Sequence, residues 1–324
     1  MKKITVLIPA YNEEANLERL LTELDRLTSG KADQPADPEH AADPTLYDWE
    51  FLFVNDGSRD NTLEMLHRLR DRDKRVNIVN LSRNFGKENA MLAGMDYATG
   101  NAMVIMDTDL QHPVSAIPEM IYWWEQGYDD VYGMRLQRGK ESWLRKKLSL
   151  SFYSMLQGTT RIEILQNVGD FRLLDRRVVD AIRTLRESQR YTKGLYCWVG
   201  YRKRGISFEQ TDRVAGQSSF NFRSLLNLAI EGITCFTTSP LRLSTILGFI
   251  VSFVAICYMI FVLIKTIFWG DPVQGYPTLL CVILLLGGVQ LIALGIIGEY
   301  IARIFNEAKQ RPPYIVESYN EEKK

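Results

Sequence analysis

Ile4-Thr5-Val6-Leu7-Ile8-Pro9-Ala10-Tyr11-Asn12-Glu13-Glu14 is the stretch on which the reading of this chain turns. A short apolar run breaks off into polar residues, and a helical pattern, Glu13–Leu27, follows at once. A continuous apolar strand feeding a helix reads as the first half of a βαβ unit. The same order recurs down the chain. Strand patterns at Phe51–Val54, Val76–Val79, Ala102–Met106 and Val131–Tyr132 alternate with helix patterns at Asn61–Arg70 and Glu88–Ala98. That alternation predicts an α/β domain with a Rossmann-like, mainly parallel sheet.

Ligands of such sheets bind beyond the carboxyl ends of the strands, so the residues just after each strand carry the information. They are Pro9-Ala10-Tyr11-Asn12-Glu13-Glu14, Asn55-Asp56-Gly57-Ser58, Ser82-Arg83-Asn84-Phe85-Gly86-Lys87 and Asp107-Thr108-Asp109-Leu110-Gln111. Four polar clusters on one rim predict a nucleotide and metal site. Asp107 and Asp109, two apart after a strand, can reach a hard divalent cation, and Gln111 can add a neutral oxygen. Tyr11 offers an aromatic face to a base, Asp56 a carboxylate to uracil or ribose, and Lys87 an ammonium to a phosphate. Thr28–Asp48 breaks the pattern. It is rich in Asp, Pro and Ala with no apolar period, and is expected to be a mobile surface insertion.

Charge is balanced but unevenly spread. Lys plus Arg and Asp plus Glu are both 39, a net charge of zero that argues against a general nucleic-acid binder. Between Ser244 and Gly298 only Lys265 and Asp271 are charged. Ser244–Ile264 and Pro272–Gly298 each reach the length of about 20 residues that crosses a hydrocarbon core of about 30 Å. The turn-like Trp269-Gly270-Asp271-Pro272 between them predicts a two-helix transmembrane hairpin. Arg223 and Arg242 precede it and Arg303, Lys309 and Arg311 follow it, which by the positive-inside rule puts both termini and the α/β domain on the cytoplasmic side of an inner membrane. Trp143–Tyr153 and Phe220–Phe236 mix basic and apolar residues at helical spacing, and are expected to lie along the lipid headgroups as amphipathic helices. The expected division is the α/β domain at 1–219, a juxtamembrane helix at 220–242, the hairpin at 243–302 and a cytoplasmic tail at 303–324.

Cys197, Cys235, Cys257 and Cys281 form no C-x-x-C pair, which argues against a disulfide framework or zinc cluster and fits an intracellular domain. His40, His67 and His112 are scattered, which sets aside most histidine-based metal sites and triads.

The order Ile8-Pro9-Ala10-Tyr11-Asn12-Glu13-Glu14, Asn55-Asp56-Gly57-Ser58, Asp107-Thr108-Asp109 and Gly169-Asp170-Phe171-Arg172, closed by an apolar hairpin, resembles family 2 glycosyltransferases of GT-A fold. Within them it is most similar to the polyprenyl-phosphate glycosyltransferases, a group that includes bactoprenol glucosyltransferases, undecaprenyl-phosphate aminoarabinose transferases and dolichol-phosphate mannose synthases. The likeness covers nearly the whole chain outside 28–48; Asn55 stands where many relatives carry aspartate. The resemblance implies Mg²⁺ or Mn²⁺ held most directly by Asp109 and Gln111, and adds Pro9 and Glu13 to the nucleotide contacts of Tyr11, Asp56, Lys87 and Asp107. Arg135, Arg145, Ser149 and Arg213 match positions that contact the acceptor phosphate in dolichol-phosphate mannose synthases. Asp170 is the catalytic candidate nearest the chemistry, as a base or as a group that orients the acceptor. A phosphate monoester, with a second pKa of about 6, is already largely an anion, so positioning is the greater need.

The activity implied is inverting transfer of one sugar from a nucleotide-sugar, a UDP-hexose with glucose first, to undecaprenyl phosphate. A homo-oligomer, tetrameric in some relatives, and a flippase or downstream glycosyltransferase as partner are implied in the same way. Two other readings stay open. A processive polysaccharide synthase would carry Gln-x-x-Arg-Trp, whereas this chain has Gln210-Thr211-Asp212-Arg213-Val214. A non-catalytic sugar-nucleotide-binding membrane scaffold would not need Asp107, Asp109 and Asp170 intact.

Overall fold

In a computed structural model of the full chain, the described residues are 1–135 except 34 and 36, 168–208 except 188 and 189, isolated positions within 248–274, 275–320, and 322–323. The anticipated alternation is present. Strands β1 (Lys3–Ala10), β2 (Asp48–Asn55), β3 (Val76–Leu81) and β4 (Ala102–Ile105) are separated by helices α1 (Glu14–Thr28), α2 (Thr62–Arg72) and α3 (Lys87–Tyr97). β1 pairs in parallel with β2 and β4, and β2 with β3. Helix α4 (Ile117–Glu125) leads to β5 (Asp130–Arg135), then come β6 (Val168–Asp175), α5 (Arg176–Thr184), α6 (Thr192–Trp198) and β7 (Lys203–Phe208).

Both faces of the central strands are covered, which is why they read as apolar runs rather than alternating ones. One core gathers Leu17, Leu20, Leu24, Phe51, Phe53, Leu66 and Ile121. The other gathers Leu7, Leu52, Met91, Met95, Ile105, Val178 and Tyr196. Helix α3 lies so close to β1 that a Cβ on Gly94 would sit 1.9 Å from Leu7 Cδ1. That contact sets the helix whose first residue is Lys87.

β6 lies between β4 and β5 and is antiparallel to both. Ile105 pairs with Arg172, so the chain two residues before Arg172 runs beside the chain two residues after Ile105. Reversal of this one strand carries Asp170 to the rim that holds Asp107. A further pair, β8 (Val316–Tyr319) and β9 (Glu322–Lys323), extends the sheet beyond β3, giving the order β7-β5-β6-β4-β1-β2-β3-β8-β9 among the described residues. Residues 1–225 and 312–324 form one compact unit and 226–311 a second. The residues read as a tail thus include a sheet edge.

Thr28–Asp48, expected as a surface insertion, carries several defined contacts. Asp43 caps a short 3₁₀ turn by accepting from Thr45 N, and Trp49 Nε1 donates to Pro44 O. His40 stacks on Trp123 with ring centroids 5.3 Å apart, and Ala42 N donates to Pro118 O. The segment stays on the surface but is anchored on α4.

The second unit contains α7 (Tyr276–Ala308), 33 residues and therefore about 50 Å long. Its Leu285–Ala308 portion is long and apolar enough to cross a membrane, and Leu291, Leu294 and Ile304 stand exposed along it. Only isolated positions of the first expected span are described. The amphipathic stretches Trp143–Tyr153 and Phe220–Phe236 lie outside the described residues.

Candidate active site

At the carboxyl ends of β1, β2 and β4 the chain turns sharply, and it does so on left-handed residues. Asn12 (φ 56°), Gly57 (φ 63°) and Leu110 (φ 55°) each follow one of these strands. Leu in this conformation costs roughly 1–2 kcal/mol, and such strain clusters at functional loops. Gly57 has no alternative: a Cβ there would stand 2.3 Å from the carbonyl carbon of Arg83. The first two loops are interlocked. Asn12 N donates to Ser58 Oγ at 3.0 Å, and Arg59 N donates to Asn12 Oδ1 at 2.8 Å. Glu13 N donates to Thr62 Oγ1 at 2.9 Å.

These turns enclose a cleft of about 300 Å³. Pro9, Tyr11, Glu13, Asp56, Lys87, Asp107 and Asp109 all line it. So do Asn84, Gly86 and Thr108, which the reading of the motifs passed over. Tyr11 is 41% exposed, leaving a ring face open at the mouth. Asp56 is buried at 3% exposure and receives the N–H of Phe85 at 2.7 Å and of Gly86 at 2.9 Å. Burial pushes its carboxyl above the ordinary value despite those two donors. The same two bonds secure the start of α3.

Lys87, the first residue of α3, bridges two carboxylates. Its Nζ is 2.6 Å from Asp107 Oδ1 and 2.9 Å from Asp170 Oδ2. Burial works against the ammonium, but Asp170 and Asp107 outweigh it and hold its pKa above that of an ordinary lysine. Burial would likewise raise Asp170, but Lys87, with Lys193 and Arg172 behind it, keeps that carboxyl below the usual carboxylate value. Asp170 Oδ1 is buried and has no hydrogen-bond partner among the described residues. Beneath it, Arg172 is 2% exposed, donates to Asp130 Oδ2 at 2.9 Å and lies 3.7 Å over the Tyr196 ring. This buried pair joins β6 to β5 and fixes the strand that carries Asp170.

The expected metal site gains a candidate residue. Ligand atoms of Asp107, Asp109 and His112 all lie within 4.8 Å of one another. Two carboxylates and an imidazole suit a divalent cation such as Mn²⁺, and a cation, Lys87, already sits against Asp107. His112, set aside as scattered, is therefore a member of the cluster; its place three residues after Asp109 was the available signal. It stacks on Phe171, centroids 4.8 Å apart and 6° from parallel. Gln111 is buried, and its backbone N–H donates to Asp109 Oδ1 at 3.1 Å. Of the acceptor-side candidates, Arg135 closes β5, its backbone opposite Phe208. Arg145, Ser149 and Arg213 lie outside the described residues.

A sheet of GT-A type with its acidic rim defines the class, and the comparisons with known proteins agree. The chain belongs to glycosyl transferase family 2, which matches residues 5–183, and residues 239–304 match the GtrB C-terminal hairpin. It is thus a glycosyltransferase with a C-terminal membrane-associating segment. An uncharacterized glycosyltransferase of Synechocystis is 44% identical over 97% of this chain and 94% of its own length. The bactoprenol glucosyl transferase of Shigella phage SfX is 40% identical over 98% of this chain and 99% of its own. A prophage bactoprenol glucosyl transferase homolog of Escherichia coli K12 is 39% identical over 97% and 98%.

Proposed function

We propose that this enzyme transfers one sugar from a UDP-hexose, glucose first, to undecaprenyl phosphate at the cytoplasmic membrane face, with inversion. The observation that carries the reading is the Lys87 bridge, which brings the donor-side Asp107 and the acceptor-side Asp170 onto one ammonium. Tyr11 and Asp56 serve the nucleoside, with Pro9 and Glu13 shaping the rim beside them. Asp107 and Asp109, with His112 or Gln111, would hold Mg²⁺ or Mn²⁺, which would supply positive charge to the diphosphate leaving group. Lys87 adds a fixed positive charge beside that same diphosphate. Asp170, kept ionised by Lys87, orients the acceptor phosphate through that shared ammonium, and a phosphate oxygen forms the new bond to the anomeric carbon as the donor's bond to diphosphate breaks. Arg135, Arg145, Ser149 and Arg213 receive the acceptor phosphate.

The sheet supports a hairpin with two crossings. Residues 1–225 and 312–324 belong to one compact unit, so a membrane passage between them takes an even number of spans. Two spans with both termini cytoplasmic satisfy this, and the polyprenyl tail explains the need, since each methylene kept in lipid is worth about 0.8 kcal/mol. Assembly as a homo-tetramer, and cooperation with a flippase or a downstream glycosyltransferase, rest on the family resemblance.

The test is detergent-purified protein with undecaprenyl phosphate, Mn²⁺ and a panel of UDP- and GDP-sugars, its lipid products separated by thin-layer chromatography. A monoglycosylated lipid from one donor, with inverted anomeric configuration by NMR, is expected. Polymer would favour a synthase, and binding without product a scaffold.

A further inference from the structure

The strand that follows the membrane helix reaches the nucleotide-facing loop through three side chains. β8 pairs with β3 so that Asn80 faces Ser318 and Leu81 faces Val316, leaving Glu317 as an extra residue between the two pairs. Bulges of this kind re-aim a side chain. Glu317 Oε2 accepts from Asn80 Nδ2 at 3.0 Å. Asn80 Oδ1 accepts from Asn55 Nδ2 at 2.8 Å, and Asn55 Oδ1 accepts from Ser58 N at 3.3 Å. Ser58 Oγ then accepts from Asn12 N, which brings the chain of contacts to the turn beside Tyr11.

The direction of these bonds is what matters. Asn80 and Asn55 are buried, at 6% and 2% exposure, and buried amides need their donors and acceptors matched. A carboxylate only accepts, so Glu317 obliges Asn80 to point its NH₂ outward and its oxygen inward. Asn55 must then give its NH₂ to Asn80 and keep its oxygen for the Ser58 N–H. Both ends impose the same polarity, because the Ser58 backbone N–H only donates and Glu317 only accepts. An aspartate at 55 would set acceptor against acceptor, a physical reason for asparagine in this chain.

We propose that Glu317 and Asn80 are positioning residues for the donor: from the C-terminal strand they set the conformation of Asp56–Ser58 and of the Tyr11-Asn12 turn, and through it nucleotide affinity. The proposal rests on the nucleotide reading of the cleft.

The test uses full-length protein in detergent and two readouts. Hydrogen exchange of residues 56–60 without ligand reports the loop, and titration with UDP plus Mn²⁺ reports the donor site. Glu317→Ala is expected to speed exchange at 56–60 and to weaken UDP by about two- to tenfold, the range for one hydrogen bond. Glu317→Gln, which keeps an acceptor at the same reach, recovers most of both. Asn80→Leu, which leaves the β8 backbone ladder in place, reproduces the loss. Unchanged exchange at 56–60 in Glu317→Ala and Asn80→Leu would overturn the proposal. So would faster exchange with UDP affinity equal to that of the unsubstituted protein. If the unsubstituted protein itself fails to bind UDP, the nucleotide reading has failed, and the exchange result still decides whether Glu317 governs the loop.

Discussion

One ammonium joins the aspartate that follows β4 to the aspartate near the start of β6: Lys87 Nζ lies 2.6 Å from Asp107 and 2.9 Å from Asp170. Burial opposes ionisation of Asp170, and Lys87 is the largest influence holding its carboxyl below the ordinary value. The ionised form therefore persists through the neutral range and is lost only as pH falls through that lowered pKa. In Lys87→Met the burial penalty loses its nearest counterweight and the carboxyl rises. The acid limb of the pH–rate profile should then move upward by about one pH unit or more. A limb that stays in place would mean that protonation of Asp170 does not limit turnover.

Removing the carboxylate itself separates positioning from binding. Asp170→Asn should lower kcat by about a hundredfold or more while UDP affinity stays within about threefold of the unsubstituted protein. Steady-state kinetics beside UDP titration reads both. Equal losses in the two would move Asp170 from the acceptor to the donor side.

The metal cluster makes a comparative prediction. Asp109→Asn should abolish Mn²⁺-dependent turnover, and His112→Ala should weaken Mn²⁺ binding about tenfold or more, measured by the electron paramagnetic resonance of free Mn²⁺. Gln111→Ala run in parallel decides between the residue the motif suggested and the one the fold brings within 4.8 Å of both aspartates. A larger loss in Gln111→Ala would reverse that choice.

Gly57 tests the loop geometry. Alanine there meets a positive φ and three backbone atoms at 2.3–2.7 Å, so Gly57→Ala should cost about 2–4 kcal/mol of stability and reduce nucleotide binding. Denaturant unfolding and UDP titration of the same sample check both effects. A neutral Gly57→Ala would show that the turn relaxes freely.

The four strand ends were legible because the central strands are covered on both faces and so are mostly apolar up to a polar rim, Thr5 in β1 and Asn77 and Asn80 in β3 being interruptions. β6 was not. Val168-Gly169-Asp170-Phe171-Arg172 has a charge in mid-strand, and only the buried contacts of Arg172 with Asp130 and Tyr196 explain its tolerance there. Arg172→Leu should accordingly cost about 3–5 kcal/mol, with part recovered by adding Asp130→Asn, as calorimetry of the single and double variants would show. β8 was missed for a related reason: Val316-Glu317-Ser318-Tyr319 is short and mixed, and only its partner β3 makes it a strand. His112 was passed over because a lone histidine carries no spacing of its own until Leu110 turns the chain back. The 28–48 segment lacks an apolar period because single contacts, Trp49 on Pro44 and His40 on Trp123, hold it rather than a buried face.

The most direct test of the central claim is metal-dependent glycolipid formation by the purified chain, with UDP-glucose, undecaprenyl phosphate and Mn²⁺. The account predicts a single glycolipid that vanishes with EDTA and in Asp109→Asn, and in Asp170→Asn despite retained UDP binding. Glycolipid formed at full rate by Asp109→Asn, or undiminished by EDTA, would contradict it.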